Sequence, residues 1–179
     1  MKMNKRFYCY GKGNYCDEWD RCPEDCEFFK NIGGEFWDVP EPVKVMLDPG
    51  AKMPTRAHKW DAGYDLFSRE AWTLFPGKSH EFDIGVHVQI PHGMGGLIVS
   101  KSGLNSKHGI VSTGLIDSDY TGSIHVTLYN HGMNPVSIAI GQKISQLVIV
   151  PVFTPDLDEV DEMEDTERGN GGFGSTGIF

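Results

Sequence analysis

Near the C-terminus, Arg168-Gly169-Asn170-Gly171-Gly172-Phe173-Gly174-Ser175-Thr176-Gly177 combines one cation, one aromatic ring, two hydroxyls and five glycines. Glycine has no Cβ, so such a chain can bring backbone N–H groups close to phosphate oxygens. A guanidinium adds a two-pronged charge clamp for the same oxygens. A phenyl face can lie on a planar base. The segment reads as an arm that closes over a nucleotide, against the plainer alternative of a Gly-rich chain end. Four further segments carry polar groups suited to the same ligand. Ala62-Gly63-Tyr64-Asp65-Leu66 offers a carboxylate and lies, on this reading, between strands. Ser100-Lys101-Ser102-Gly103-Leu104 is a small hydroxylated turn with a cation. Gly114-Leu115-Ile116-Asp117-Ser118-Asp119-Tyr120-Thr121-Gly122 places a carboxylate and a phenol between two glycines. Gly141-Gln142-Lys143-Ile144-Ser145-Gln146-Leu147 begins a strand with an amide available inward.

The elements that would position these groups are strands. Val43–Leu47 alternates at its start, Phe82–Ile90 alternates over nine positions, and Ile124–Asn130 repeats the pattern. Ile144–Val152 is a nearly continuous apolar run rich in β-branched residues. Turn signals separate the runs: Asp48-Pro49-Gly50, Phe75-Pro76-Gly77, Pro91-His92-Gly93, Asn130-His131-Gly132 and Ile140-Gly141-Gln142. Many short strands at this spacing predict an all-β barrel or a jelly-roll-like sandwich. One short helix is expected over Gly103–Lys107. His58, His87, His92, His108, His125 and His131 are scattered and read as strand or loop residues rather than a metal cluster.

The chain of 179 residues suits one domain with a small appendage. Its net charge of -9 argues against stable nucleic-acid or anionic-membrane binding. An acidic protein that takes a phosphate-bearing substrate needs local cations or a metal ion at its site. Met1–Tyr10 is polar, without the apolar centre of a signal peptide. The longest apolar stretch, around Leu147–Phe153, is too short to span a bilayer and contains Pro151. A soluble, cytoplasmic protein is expected.

Cys9, Cys16, Cys22 and Cys26 are the only cysteines, all within the first 26 residues. In a reducing compartment such clustering points to a tetrahedral four-cysteine zinc site. Unligated thiols or two disulfides are the alternatives. Bound zinc would also explain how so short a segment folds. The aromatic side chains between Tyr8 and Phe29 suit packing around such a knot better than stacking on nucleic acid, since Asp17-Glu18-Trp19-Asp20 and Glu24-Asp25 oppose phosphate. The chain then divides into a cysteine-rich module (1–38), a Pro-rich linker (39–42), a β-domain (43–155), an acidic tether (156–167) and the closing arm (168–179). The tether carries eight acidic side chains and no basic one.

Taken in this order, the five polar segments resemble the five motifs of the trimeric dUTP pyrophosphatase (dUTPase) family. The resemblance runs from about Val43 to Gly177 and leaves the cysteine module outside it. It implies an all-β, distorted jelly-roll barrel and the cleavage of dUTP to dUMP and pyrophosphate, with Mg2+ on the triphosphate and water attacking the α-phosphorus. It implies a homotrimer whose sites draw on all three subunits. Asp117 matches the catalytic carboxylate, a type of group that can take a proton from the attacking water. Tyr120 matches the ring beneath the deoxyribose that excludes a 2′-hydroxyl. Asp65 matches a carboxylate that holds the water shell of the metal. Lys101, Ser102, Gly103 and Gln146 match phosphate contacts. Gly114, Leu115 and Ile116 match the end of the hairpin that reads uracil through its backbone. Arg168 would meet the γ-phosphate, Phe173 would stack on uracil, and Gly172, Gly174 and Ser175 would supply N–H donors.

Two departures stand out. The family usually places Arg before its Ser-Gly, where this chain has Lys101, which keeps the charge and loses the planar fork. The stretch from Ser102 to Asp117 is also shorter than in several members. Two other readings compete. A dCTP deaminase shares the fold but carries a glutamate where Thr127 stands here. The cysteine module could instead dock a protein partner, with or without catalysis beside it.

Overall fold

The computed structural model describes residues 7–9, 14–16 and 42–172. Its strands are β1 (Phe7–Cys9), β2 (Asn14–Cys16), β3 (Lys44–Leu47), β4 (Gly63–Phe67), β5 (Trp72–Leu74) and β6 (Ser79–Gln89). They continue with β7 (Met94–Ser100), β8 (Ile110–Ile116), β9 (Ser123–Asn130), β10 (Val136–Ile138) and β11 (Lys143–Pro151). One helix, α1 (Ser102–His108), separates β7 from β8. β3, β6, β9, β8, β7, β11 and β4 pair in that order into a seven-stranded sheet that curls into a half-barrel. A small β10–β5 pair forms a second sheet. The all-β expectation holds.

Alternation creates the core. Phe82, Ile84, Val86 and Val88 of β6 and Ile124, Val126 and Leu128 of β9 are buried on the concave side. Ile98, Ile110, Ile116, Ile144 and Leu147 extend the same cluster across β7, β8 and β11. Each such side chain stabilises the fold by about 1.5–3 kcal/mol before entropic costs. At Gly96 a Cβ would lie 2.8 Å from Leu147 and 2.9 Å from Ile90, so the backbone of β7 can approach the core closely only as glycine. Asn130 is a polar exception that is fully partnered. Its amide donates to the carbonyls of Leu74 (2.8 Å) and Asn134 (2.9 Å), and its oxygen accepts from the Gly132 N–H (2.9 Å). It therefore ties the turn after β9 to β5.

The predicted runs at Val43–Leu47, Phe82–Ile90, Ile124–Asn130 and Ile144–Val152 correspond to β3, β6, β9 and β11. The predicted helix is present, one residue longer at each end. Gly109 stops it in a left-handed conformation (φ 67°) and returns its N–H to the Asn105 and Leu104 carbonyls. One expectation is corrected: the Asp65 segment does not lie between strands but forms the edge strand β4. Its burial does not alternate, because Leu66 turns into the core while the neighbouring Asp65 is buried by polar partners.

Candidate active site

Asp65 is the centre of a charge cluster at one end of the sheet. The residue is 4% exposed, and both carboxylate oxygens are engaged. Lys101 Nζ donates to Oδ1 at 3.1 Å, Lys143 Nζ donates to Oδ2 at 2.6 Å, and Gln146 Nε2 donates to Oδ1 at 3.3 Å. Burial alone would raise the Asp65 pKa. The hydrogen bonds and charges of Lys143 and Lys101 outweigh it and hold the carboxyl below its usual value.

Three strands bring these groups together. Asp65 and Gln146 lie opposite each other on β4 and β11. Lys101 follows β7, whose Ser100 pairs with Ser145 of β11. Lys143 lies within the Gly141–Leu147 motif, but residue order alone gave it no role at the site. It precedes Gln146 by three positions, and strict alternation would send the two side chains to opposite faces. A bulge between Lys143 and Ser145 absorbs one residue, which leaves Ile144 and Ser145 both buried and aims Lys143 and Gln146 at the same carboxylate. The only sequence signal was a break in alternation at Ile144-Ser145.

Buried hydroxyls fix the strands beneath the cluster. The Ser112 N–H donates to Ser100 Oγ (2.9 Å), Ser112 and Ser145 share a hydroxyl contact (2.7 Å), and Ser145 donates to the Val99 carbonyl (2.8 Å). Each serine on β7 and β11 adjoins a site residue, Ser100 before Lys101 and Ser145 before Gln146. Ser102 and Gly103 open α1 on the exposed side, and a Cβ at Gly103 would meet nothing within 4 Å. That space is open to a ligand.

The other expected residues lie elsewhere. Ile116 ends β8 opposite Gly96 of β7, so Asp117 begins the turn beyond it. Gly96 and Lys101 are five residues apart along β7, and an extended chain covers about 16 Å over that span. Asp117 therefore sits at the opposite end of β7 from Lys101. It is exposed in a turn closed by the Tyr120 N–H to the Asp117 carbonyl (3.2 Å). Tyr120 is 42% exposed, and its hydroxyl donates to the Ser123 carbonyl at 2.7 Å. Gly114 and Leu115 are exposed at the end of β8, while Ile116 is buried. Arg168 folds onto its own chain, with Nε donating to the Gly171 carbonyl at 3.0 Å, and Gly172 is exposed. Phe173, Gly174, Ser175, Cys22 and Cys26 lie outside the described residues. Cys9 pairs across the β1–β2 hairpin with Asn14, and Cys16 with Phe7.

Among the described residues, no three His, Cys, Asp or Glu side chains converge as a ready-made metal cage. Asp65 is an oxygen donor of the kind Mg2+ prefers, but two ammonium groups already neutralise it. The donor set fits a metal that arrives on phosphate oxygens better than one held by the protein alone.

Comparison with known proteins points to a single family. The dUTPase family model matches residues 50–177. A mouse deoxyuridine 5'-triphosphate nucleotidohydrolase is 42% identical over 134 residues, 74% of this chain and 83% of the mouse protein. A variant dUTPase of Staphylococcus bacteriophage 80alpha, solved with dUpNHpp, superposes with a TM-score of 0.71 at 36% identity, covering 76% of this chain and 99% of the phage chain. A variant phage phi11 dUTPase, whose structure concerns the coordination of a structural Mg(II) ion, gives a TM-score of 0.65 at 35% identity, covering 70% and 100%. With the family model matching residues 50–177, well over half of the chain, the chain belongs to the dUTPase family.

Proposed function

We propose that the protein hydrolyses dUTP to dUMP and pyrophosphate as a homotrimer whose sites are shared between subunits, with Mg2+ carried on the triphosphate. The observation that carries this reading is the separation of the two polar centres along β7. One chain holds Lys101, Lys143 and Gln146 around Asp65. The same chain keeps Asp117 and Tyr120 at the far end of that strand. A second subunit's turn, placed over the first subunit's cluster, would complete a site, and the third subunit's arm would cover it.

In that site the lysines and the start of α1 bind phosphates. When a triphosphate enters, its oxygens compete with Asp65 for Lys101 and Lys143, and the Asp65 carboxylate would then be available to hold the water shell of Mg2+. Mg2+ would screen phosphate charge and orient the chain. Asp117 accepts a proton from the attacking water. Tyr120 lies against the sugar, where a 2′-hydroxyl has no room. Gly114, Leu115 and Ile116 present backbone groups to uracil. Arg168 meets the terminal phosphate, Phe173 stacks on the base, and Gly172, Gly174 and Ser175 donate N–H groups. Removing dUTP would limit uracil incorporation into DNA and supply dUMP for dTMP synthesis in the cytoplasm.

Pyrophosphate release from dUTP, with dCTP, dTTP and UTP as controls and with Mg2+ added or chelated, tests the reaction. Mg2+-dependent release from dUTP alone is expected; equal release from dCTP or UTP would sink the substrate assignment. Subunit mixing tests the shared site. Chains carrying Asp117→Asn and chains carrying Lys101→Ala should regain activity when reassembled together, because some sites then draw both intact residues. No recovery would place the whole site in one subunit.

Cys9, Cys16, Cys22 and Cys26 are proposed as a structural zinc site. One zinc per chain is expected by elemental analysis, and its absence from reduced, chelator-free protein would refute it. Deletion of residues 1–38 tests the other reading of the module, partner docking: a truncated protein that kept trimer, activity and every partner would refute it.

A further inference from the structure

His87 sits on β6 between two oxygen acceptors. Its Nδ1 lies 2.9 Å from the Thr121 carbonyl and its Nε2 lies 3.2 Å from Asp48 Oδ1. A carbonyl and a carboxylate can only accept, so both ring nitrogens must carry protons to satisfy both contacts. The geometry calls for an imidazolium ion. Thr121 directly follows Tyr120, in the turn that also carries Asp117.

The backbone is built to put His87 there. Between Asp83 and His87 the β6 strand advances four residues while β9 advances two, from His125 to Ser123. Gly85 absorbs the excess at φ 62°, and a Cβ there would strike the Arg69 guanidinium. The bulge leaves Asp83 and His87 on the same side, both against the start of β9. Asp83 bonds the Ser123 hydroxyl, and the Tyr120 hydroxyl bonds the Ser123 carbonyl. Arg69 joins the network from behind, 3.5 Å from Asp48 and 3.3 Å from Asp83. His125 faces Asp83 from β9 and is itself paired with Glu81 at 3.1 Å. The groups around His87 are thus Asp48, Asp83, Arg69 and, one strand further, His125 with Glu81.

We propose that protonated His87 is a positioning residue that anchors the Asp117–Gly122 turn to β6 and so sets how firmly Tyr120 discriminates against a ribose. The proposal rests on Tyr120 being the sugar gate. The ring's surroundings favour the charged form: the Thr121 carbonyl raises its pKa most, partial burial opposes this, and Asp48 and Asp83 add to the rise. The anchor is therefore complete below the unfolded histidine value and is lost as pH rises through the higher folded value. On deprotonation the ring keeps a single N–H for two acceptors, and the positive charge that held it between Asp48 and Thr121 is lost. In the tautomer that keeps the Nε2 proton, the Nδ1 lone pair opposes the Thr121 oxygen, and the hold on the turn weakens.

The test compares kcat/KM for dUTP with that for UTP across pH, because ionisations of the triphosphate and of Asp117 affect both substrates alike. In the unaltered trimer the dUTP:UTP ratio should fall roughly threefold to tenfold between about pH 6 and about pH 9, the worth of one hydrogen bond. His87→Asn places an amide donor where Nδ1 stood, so its ratio should stay high and flat. His87→Gln reaches Asp48 and not Thr121, so its ratio should stay low and flat. A pH-independent ratio in the unaltered protein would overturn the proposal. So would a His87→Gln ratio that tracks the unaltered one. Tyr120→Ala is run beside them: an unchanged ratio in that variant would reject the sugar gate itself, a separate failure from that of His87.

Discussion

The Asp65 cluster and the Asp117–Tyr120 turn both carry family motif residues, yet they differ in almost every physical respect. Asp65 is buried, held by three side-chain donors and braced by a serine ladder. Asp117 and Tyr120 are exposed, and the structure shows one hydrogen bond closing their turn and one from the phenol. The first region is finished by its own chain. The second is open to solvent in the single chain. A catalytic carboxylate gains most from a site that excludes water only when substrate is present, whereas charges that bind phosphate must be preorganised to avoid repelling one another.

Perturbing the two regions should therefore give different kinds of loss. The largest effect is expected at the open turn. Asp117→Asn should lower kcat by about a hundredfold to ten-thousandfold with little change in nucleotide affinity or melting temperature. A near-normal rate would remove Asp117 from the chemistry. Truncation after Glu167 removes the arm and should lower kcat/KM on the order of a hundredfold, again without loss of stability. If the truncated protein turned over normally, the arm would have no closing role.

The buried cluster should respond in stability as well as in rate. Asp65→Asn leaves Lys101 and Lys143 facing each other, and is expected to cost about 1–2 kcal/mol, less than a fully buried pair because both lysines reach solvent. The sign of the pH effect follows from the lowered Asp65 value. Its contribution is present above the ordinary carboxyl value of 3.8 and is lost as pH falls through the lower folded one. Melting curves should thus converge between the two proteins in acid and separate at neutral pH. Parallel curves would show that the two lysines do not stabilise the carboxylate.

Smaller effects sharpen the contrast. Tyr120→Ala should narrow the preference for dUTP over UTP about tenfold, while leaving melting unchanged. Lys101→Arg should restore a forked donor and lower KM for dUTP about threefold. An unchanged KM would mean that Lys143 already supplies the second prong.

Much of this was legible in residue order. Period-two alternation fixed β6 and β9, because one face of each must meet the core. The short helix was legible over Gly103–Lys107, while its stop at Gly109 was not. β4 was not legible, because Gly63–Phe67 owes its strand conformation to β11 and to an isolated bridge between Asp65 and Thr55 rather than to a pattern of its own. Lys143 was hidden by its bulge. His87 looked like one of several scattered histidines, since nothing local signals that a second bulge at Gly85 will turn it toward Thr121.

The sequence by itself determined the chemical inventory: which carboxylates, cations, amide and glycines are available, and the order in which the chain presents them. Order suffices for that because each motif is a short local run whose residue types carry its chemistry. Only the tertiary structure decided who meets whom. Strand register and two bulges placed Lys143 on Asp65 and His87 on Thr121, and the length of β7 set Asp117 apart from Lys101. Such pairings are fixed by hydrogen bonds between residues far apart in the chain, where a shift of one position reverses the face of every side chain that follows.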